Sequence, residues 1–227
     1  MSTGGKHSPK RAQGSASVLP GKPRKPVTIE QFEHVLRACQ GNTDENSFYI
    51  VGTASLLAQH PELAEGMDGI VTSQEVDAWP VSGNPKIADL LEAIGEMSPF
   101  HEQFGIYVDP YSPSNAILPK GWEPRTIPFH SDQTGGATGY CLEKHDLTVA
   151  KMARGQPKDL KFVAELVRRG LLDNLEVKNR INLVDPSQPH YQITRESPLA
   201  DIRRRILSNW KAALKLASHP TASGNQK

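Results

Sequence analysis

The sequence predicts an α+β fold, a mixed β-sheet flanked by helices and followed by a helical C-terminal part. Three observations predict it. Up to residue 142, short β-branched or aromatic runs alternate with stretches of helical periodicity. Two strand-like runs around a glycine-rich turn close that region as a hairpin, and beyond Glu143 only helical spacing recurs.

Thr28-Ile29-Glu30-Gln31 has the form of a capping box, in which threonine and glutamine side chains each take a free backbone N–H at a helix start. Ile29, Phe32, Val35, Leu36 and Cys39 follow at helical spacing, and Gly41 to Asn46 is expected to break the helix. Residues 47–52, Ser-Phe-Tyr-Ile-Val-Gly, read as a buried strand ending in glycine, and 53–59 as a short helix stopped by His60-Pro61. A polar connection over 62–69 leads into a strand at 72–80 that ends at Trp79-Pro80. After Asn84, Pro85 suits a first helical turn, and Ile87, Leu90, Leu91 and Ile94 continue the helix. Residues 98–105 are expected to be a loop, and 105–109 a strand running into Asp109. Strands at 125–129 and 139–142 flank the glycine-rich turn, and helices follow from Glu143, from about Lys158 to Arg169, and from about Pro198 to Ser218. The expected division is a disordered basic tail at 1–26, an α+β core at 27–142, a helical part at 143–218 and a disordered tail at 219–227.

Composition excludes several classes. No apolar run reaches the length that spans a bilayer, and the N-terminus has no hydrophobic segment of the signal-peptide kind, so a cytoplasmic setting is expected. Cys39 and Cys141 form no C-x-x-C pair and read as buried free thiols. The net charge of +1 hides an asymmetry, because six basic residues precede Glu30 and no acidic one does. Such a tail either adds salt-dependent attraction to phosphates or merely keeps the chain in solution.

The informative feature is Glu75-Val76-Asp77. Alternate strand residues share a face, so Glu75 and Asp77 project together and repel unless water or a cation answers their charge. Gly52-Thr53 offers backbone N–H groups and a hydroxyl at the end of one strand, and Asp109 closes another. If those strands are neighbours, three carboxylates meet as oxygen ligands of the kind Mg²⁺ prefers. Asp109, before Pro110, also reads as an ordinary turn residue. Lys151, Arg154 and Lys158 read as either a phosphate clamp or a solvated helix face. His101-Glu102-Gln103-Phe104-Gly105 lacks the second histidine of a zinc helix, and the turn at 134–139 lacks the ending of a phosphate loop. His145 is expected to help cap a helix, and Trp79, Trp122 and Trp210 to pack. The final helix, with Arg203, Arg204, Arg205, Lys211 and Lys215 beside Ile202, Ile206, Trp210 and Leu214, is expected to cover the domain.

The order Gly52-Thr53, Glu75-Val76-Asp77 and Ile106-Tyr107-Val108-Asp109 resembles the nucleotidyltransferase superfamily of the DNA-polymerase-β type. Across residues 30 to 170 it looks more closely like the DUF6036 branch and the AbiEii/MenT-like toxins of type IV toxin–antitoxin systems. The block at 141–163, with Asp146, Lys151, Arg154, Lys158 and Asp159, is the most specific part of that likeness. The resemblance implies transfer of an NMP from an NTP to an RNA such as a tRNA, or to a protein, with a cognate antitoxin as a possible partner. It implies Mg²⁺ or Mn²⁺ on Glu75, Asp77 and Asp109. It implies Gly52 and Thr53 against the triphosphate, Lys151 with Arg154 or Lys158 neutralising phosphate charge, and Asp159 orienting those cations. The chain departs from the pattern at Thr53 for serine, at Glu75 for aspartate, and in a long glycine-to-acid spacing. The rival reading is a catalytically inactive module on the same fold that binds nucleotide or a partner.

Overall fold

A computed structural model describes residues 27–64, 71, 73–185 and 200–219. The two tails up to 26 and from 220, most of the 62–69 connection and the expected helix start at Pro198 lie outside the described residues.

Helix α1 (Ile29–Thr43) opens as expected, with the Thr28 hydroxyl oxygen accepting the Gln31 N–H at 3.1 Å and the Gln31 side chain accepting the Thr28 N–H at 3.1 Å. It passes through Gly41, where a break was expected, and stops at Asp44, whose left-handed backbone returns its N–H to Gln40. Phe32, Val35, Leu36 and Cys39 present one fully buried stripe, which holds the last turn helical despite the glycine.

That stripe packs on a five-stranded mixed sheet of order β3-β2-β1-β5-β4, built from β1 (Ser47–Ile50), β2 (Glu75–Pro80), β3 (Tyr107–Pro110), β4 (Ile127–Phe129) and β5 (Thr138–Cys141). β1 is antiparallel to β2 and parallel to β5, β2 is parallel to β3, and β4 and β5 form the expected hairpin. Strand alternation sends Phe48, Ile50, Val76, Ala78, Val108 and Cys141 into the core. The register sets Tyr49 beside Trp79 and Tyr140, and Glu75 and Asp77 beside Tyr107 and Asp109, so those residues share the opposite face. The two thiols are free and buried, and burial pushes Cys39 up to about 12 and Cys141 higher still.

Short helices pave the edges. The segment 53–59 is a 3₁₀ helix, Thr53–Ala58, followed by a second at Pro61–Ala64. α2 (Pro85–Leu91) is capped by the Asn84 side chain, which accepts the Lys86 N–H at 3.1 Å, and continues as a 3₁₀ turn to Ile94. Residues 98–105 are not a loop. They form α3 (Pro99–Phe104), with Ser98 accepting the His101 N–H at 3.2 Å, Pro99 in the first turn and left-handed Gly105 at the end. Phe100 and Phe104, four residues apart, dock edge-on against the His34 ring of α1; the cap at Ser98, Pro99, that spacing and Gly105 are local helix signals that the loop reading overlooks.

The C-terminal part contains α4 (Lys144–Arg154), α5 (Pro157–Arg168), α6 (Asn174–Asn182) and α7 (Ala200–Ser218). Val149, Met152, Val163, Val177, Ile181, Ile206 and Trp210 make its own buried cluster, and the Trp210 indole N–H donates to Asn174 Oδ1 at 3.0 Å. α7 therefore covers the domain, as its apolar spacing predicts. α6, which the sequence reading passes over, has only Val177 and Ile181 buried on an otherwise polar helix.

Glu143, rather than His145, caps α4, its carboxylate accepting the N–H groups of His145 at 2.9 Å and Asp146 at 3.4 Å. His145 Nε2 accepts the Asp173 N–H at 3.1 Å, so the neutral ring carries its proton on Nδ1 and donates it to Glu143 at 2.7 Å. Asp146, with no exposed surface, receives both Nε and Nη2 of Arg125, at 2.8 and 2.9 Å, and lies 3.1 Å from Arg180 Nε. Arg125 comes from the sheet region and Arg180 from α6, so this buried clamp fixes α4 to both parts. That fixes the direction in which the end of α4 faces.

Candidate active site

β2 begins at Glu75 with Glu75 and Asp77 on its open face, and β3 runs alongside in the same direction. The parallel register pairs Glu75 with Tyr107 and Asp77 with Asp109. The Tyr107 hydroxyl donates to Glu75 Oε2 at 3.3 Å. Burial, Glu75 and Glu96 together push the Tyr107 phenol up to about 12, which keeps it a donor. A cavity of about 340 Å³ opens over this end of the sheet, and Glu75, Asp77 and Tyr107 form its floor.

Gly52 closes the site from β1. The Val51 N–H donates to the Asp77 carbonyl at 3.1 Å, and the chain then passes so near that a Cβ on Gly52 would lie 1.6 Å from Asp77 Oδ2. Glycine is needed there for space, since its φ of −92° is open to any residue. Thr53 follows as the first residue of the 3₁₀ helix and lines the cavity. That helix has six residues, too few to carry the helix-end dipole that its position would otherwise supply.

The opposite wall comes from α4 and α5. Lys151 and Arg154 lie one turn apart on α4, left-handed Gly155 ends the helix, and α5 starts at once with Lys158 and Asp159. Buried Asp159 accepts Arg154 Nε and Nη2 at 2.8 and 2.5 Å and the Gln156 N–H at 3.2 Å, so the guanidinium is held in place. Lys151 Nζ lies 5.7 Å above the Phe162 ring.

The electrostatics are opposed across this gap. Burial pushes the Asp77 carboxyl up to about 6, Glu75 and Asp109 push it the same way, and Lys151 and Arg154 oppose them. Asp109 is raised by burial, Glu75 and Glu96. Lys151 is lowered by burial and by Arg154, against the pull of Asp159 and Asp77. Each side crowds like charge, and each would be relieved by a ligand of the opposite sign. The whole chain shows the same division, because residues 27–142 hold 16 acidic and 4 basic residues whereas 143–218 hold 9 and 15.

The structure gathers Thr53, Glu75, Asp77, Lys151, Arg154, Lys158 and Asp159 around one cavity; Gly52 lies behind Asp77, and Asp109 lies beside Asp77 outside the cavity wall. Sequence reasoning missed Glu96, His101 and Tyr107. Tyr107 was available from its place two residues before Asp109, on the same strand face. His101 was hidden by the reading of 98–105 as a loop. Glu75, Asp77 and Asp109 are the carboxylates that could hold a divalent cation; among the described residues no three His, Cys, Asp or Glu side chains are grouped closely enough to do so unaided.

A mixed sheet with carboxylates on adjacent parallel strands, a glycine turn against them and a facing cluster of cations is consistent with a nucleotidyltransferase-type fold. The family described as "Nucleotidyltransferase of unknown function (DUF6036)" matches residues 28–213. The chain belongs to that family. No curated protein and no solved structure matches it. Among the described residues no helix is long and apolar enough to cross a membrane.

Proposed function

We propose that the protein is a metal-dependent enzyme of the cytoplasm that moves an NMP from an NTP onto a hydroxyl of an RNA, such as a tRNA, or of a protein. One observation carries the reading: the register that pairs Asp77 with Asp109, two residues beyond Glu75, opposite Lys151, Arg154 and Lys158. Mg²⁺ or Mn²⁺ fits the chemistry of these donors, since hard cations take carboxylate oxygens and leave room for water and substrate phosphates. Glu75, Asp77 and Asp109 would hold it, and when bound it would supply charge stabilisation at the phosphate oxygens.

The chain's own groups do the rest. Thr53 offers a hydroxyl to the triphosphate, and Lys151 and Lys158 neutralise the pyrophosphate as it leaves. Arg154 reaches the same charge with its fork already oriented by Asp159, so little ordering remains to be done on binding. The acceptor oxygen bonds to the α-phosphorus, the bond to the β-phosphate oxygen breaks, and Asp109, whose basicity is raised by burial and by Glu75 and Glu96, takes the hydroxyl proton. The likeness to AbiEii/MenT-like proteins supports a role as the toxin of a type IV toxin–antitoxin pair. In that role a cognate antitoxin is the natural partner, and the basic residues before Val27 would draw in RNA.

The test is transfer of label. The full chain with Mg²⁺, each of the four α-labelled NTPs, and total RNA or lysate protein is expected to label one acceptor and release pyrophosphate; no label from any NTP contradicts the reading. Nucleotide binding without turnover is favoured by one observation, that no three carboxylates close on a common point among the described residues. NTP binding in the same assay, with neither label nor pyrophosphate, would select it.

A further inference from the structure

We infer that His101 reads the base of the bound nucleotide, donating a hydrogen bond from Nε2 to an oxygen or ring-nitrogen acceptor on it. This rests on the nucleotide-binding reading above. His101 lines the same cavity as the acids, in the first turn of α3. Its Nδ1 accepts the Met97 N–H at 3.0 Å, so the neutral ring must carry its proton on Nε2. Among the described residues Nε2 meets no acceptor, which leaves a fixed donor in the cavity wall.

A local turn holds the Met97 N–H in that arrangement. Met97 has a φ of 64°, a left-handed conformation rare outside glycine, and its side chain is 83% exposed. That conformation closes the turn in which the Ser98 N–H donates to the Gly95 carbonyl at 3.2 Å, and it also aims the Met97 N–H at His101. The other side of the ring leans on Tyr107, with centroids 4.7 Å apart at 51°, and Tyr107 is tied in turn to Glu75.

Charge decides which part of a nucleotide comes here. The cavity, about 340 Å³, suits a single nucleotide. Lys151, Arg154 and Lys158 take the triphosphate at the α4–α5 wall, whereas Glu96, which is assigned no cation, lines the cavity with His101 and Tyr107 and repels phosphate. The neutral base belongs against the two flat rings, where it can stack and accept the free N–H.

Binding of the full chain to ATP, GTP, CTP and UTP, with tripolyphosphate as a base-free probe, tests this. The unaltered protein is expected to prefer one NTP. His101→Phe, which keeps a ring and removes the donor, should weaken that NTP about tenfold, the value of one good hydrogen bond, and flatten the preference. Tripolyphosphate binding should not change, and His101→Gln, which keeps an N–H, should retain part of the preference. An unchanged preference in His101→Phe, or equal loss for tripolyphosphate, overturns the assignment. Equal binding of all four NTPs by the unaltered protein overturns it alone, whereas failure to bind any NTP or tripolyphosphate overturns the nucleotide reading with it.

Discussion

Asp77→Asn is expected to make the protein more stable and inactive at once. In the folded chain the Asp77 carboxyl titrates near 6, above the 3.8 of an ordinary aspartate, chiefly because it is buried, with Glu75 adding to the effect. The folded state thus holds this proton more tightly than the unfolded state does. Ionising Asp77 costs stability, a cost fully present above about pH 6 and gone below the ordinary aspartate value; the gap is worth at most about 3 kcal/mol. Without divalent cation, acidification from pH 7.5 to about 5.5 should relieve part of that cost in the unaltered protein. Asp77→Asn should show the gain already at about pH 7.5, as roughly 2 kcal/mol or a rise of several degrees in Tm, and lose the Asp77 share of the pH dependence in that window. Label transfer should fall about 10³-fold, because the sheet carboxylate that lies against Gly52 and feels Lys151 and Arg154 is gone. Melting curves at the two pH values decide the matter. A variant less stable than the parent at the higher pH would make Asp77 an ordinary satisfied acid.

Gly52→Ala carries the second large effect. Its added methyl would lie 1.6 Å from Asp77 Oδ2 and 2.6 Å from Cγ, far inside contact distance. The backbone there accepts alanine, so the collision alone drives the outcome: the carboxylate must swing away or the end of β1 must shift. Overpacking of this kind costs about 1–3 kcal/mol. Displacing a reacting group by about 1 Å costs transfer activity about 10²-fold. Thr53→Ser, which keeps the hydroxyl and creates no clash, should lose little. Transfer rates beside circular dichroism melts check both, and a folded Gly52→Ala with normal transfer would contradict the account.

What could be read from the chain was local. The capping box at Thr28, the alternation that puts Glu75 and Asp77 on one face, and the spacing that brings Lys151 to Asp159 together across a glycine break each follow from a few neighbouring residues. What stayed hidden depends on distant partners. α6 exists because two apolar residues reach the cluster around Trp210, whereas α3 was legible in Ser98-Pro99, the Phe100–Phe104 spacing and Gly105 and was overlooked. The pairing of Asp77 with Asp109 is a matter of register between strands 32 residues apart, which no local pattern specifies. The same holds for Arg125, Asp146 and Arg180, whose clamp aims α4 at the sheet. His101 was missed for a compound reason: its helix was not expected, and its useful nitrogen is set by a strained backbone four residues earlier.

The central claim is that Glu75, Asp77 and Asp109 act together on a divalent cation at the nucleotide's phosphates. Anomalous diffraction from crystals soaked with Mn²⁺ and a non-hydrolysable NTP tests it most directly. The account predicts Mn²⁺ within bonding distance of Asp77 and at least one of the other two carboxylates, with the triphosphate reaching Lys151. Nucleotide bound elsewhere, or bound here with Mn²⁺ touching none of the three, would contradict it.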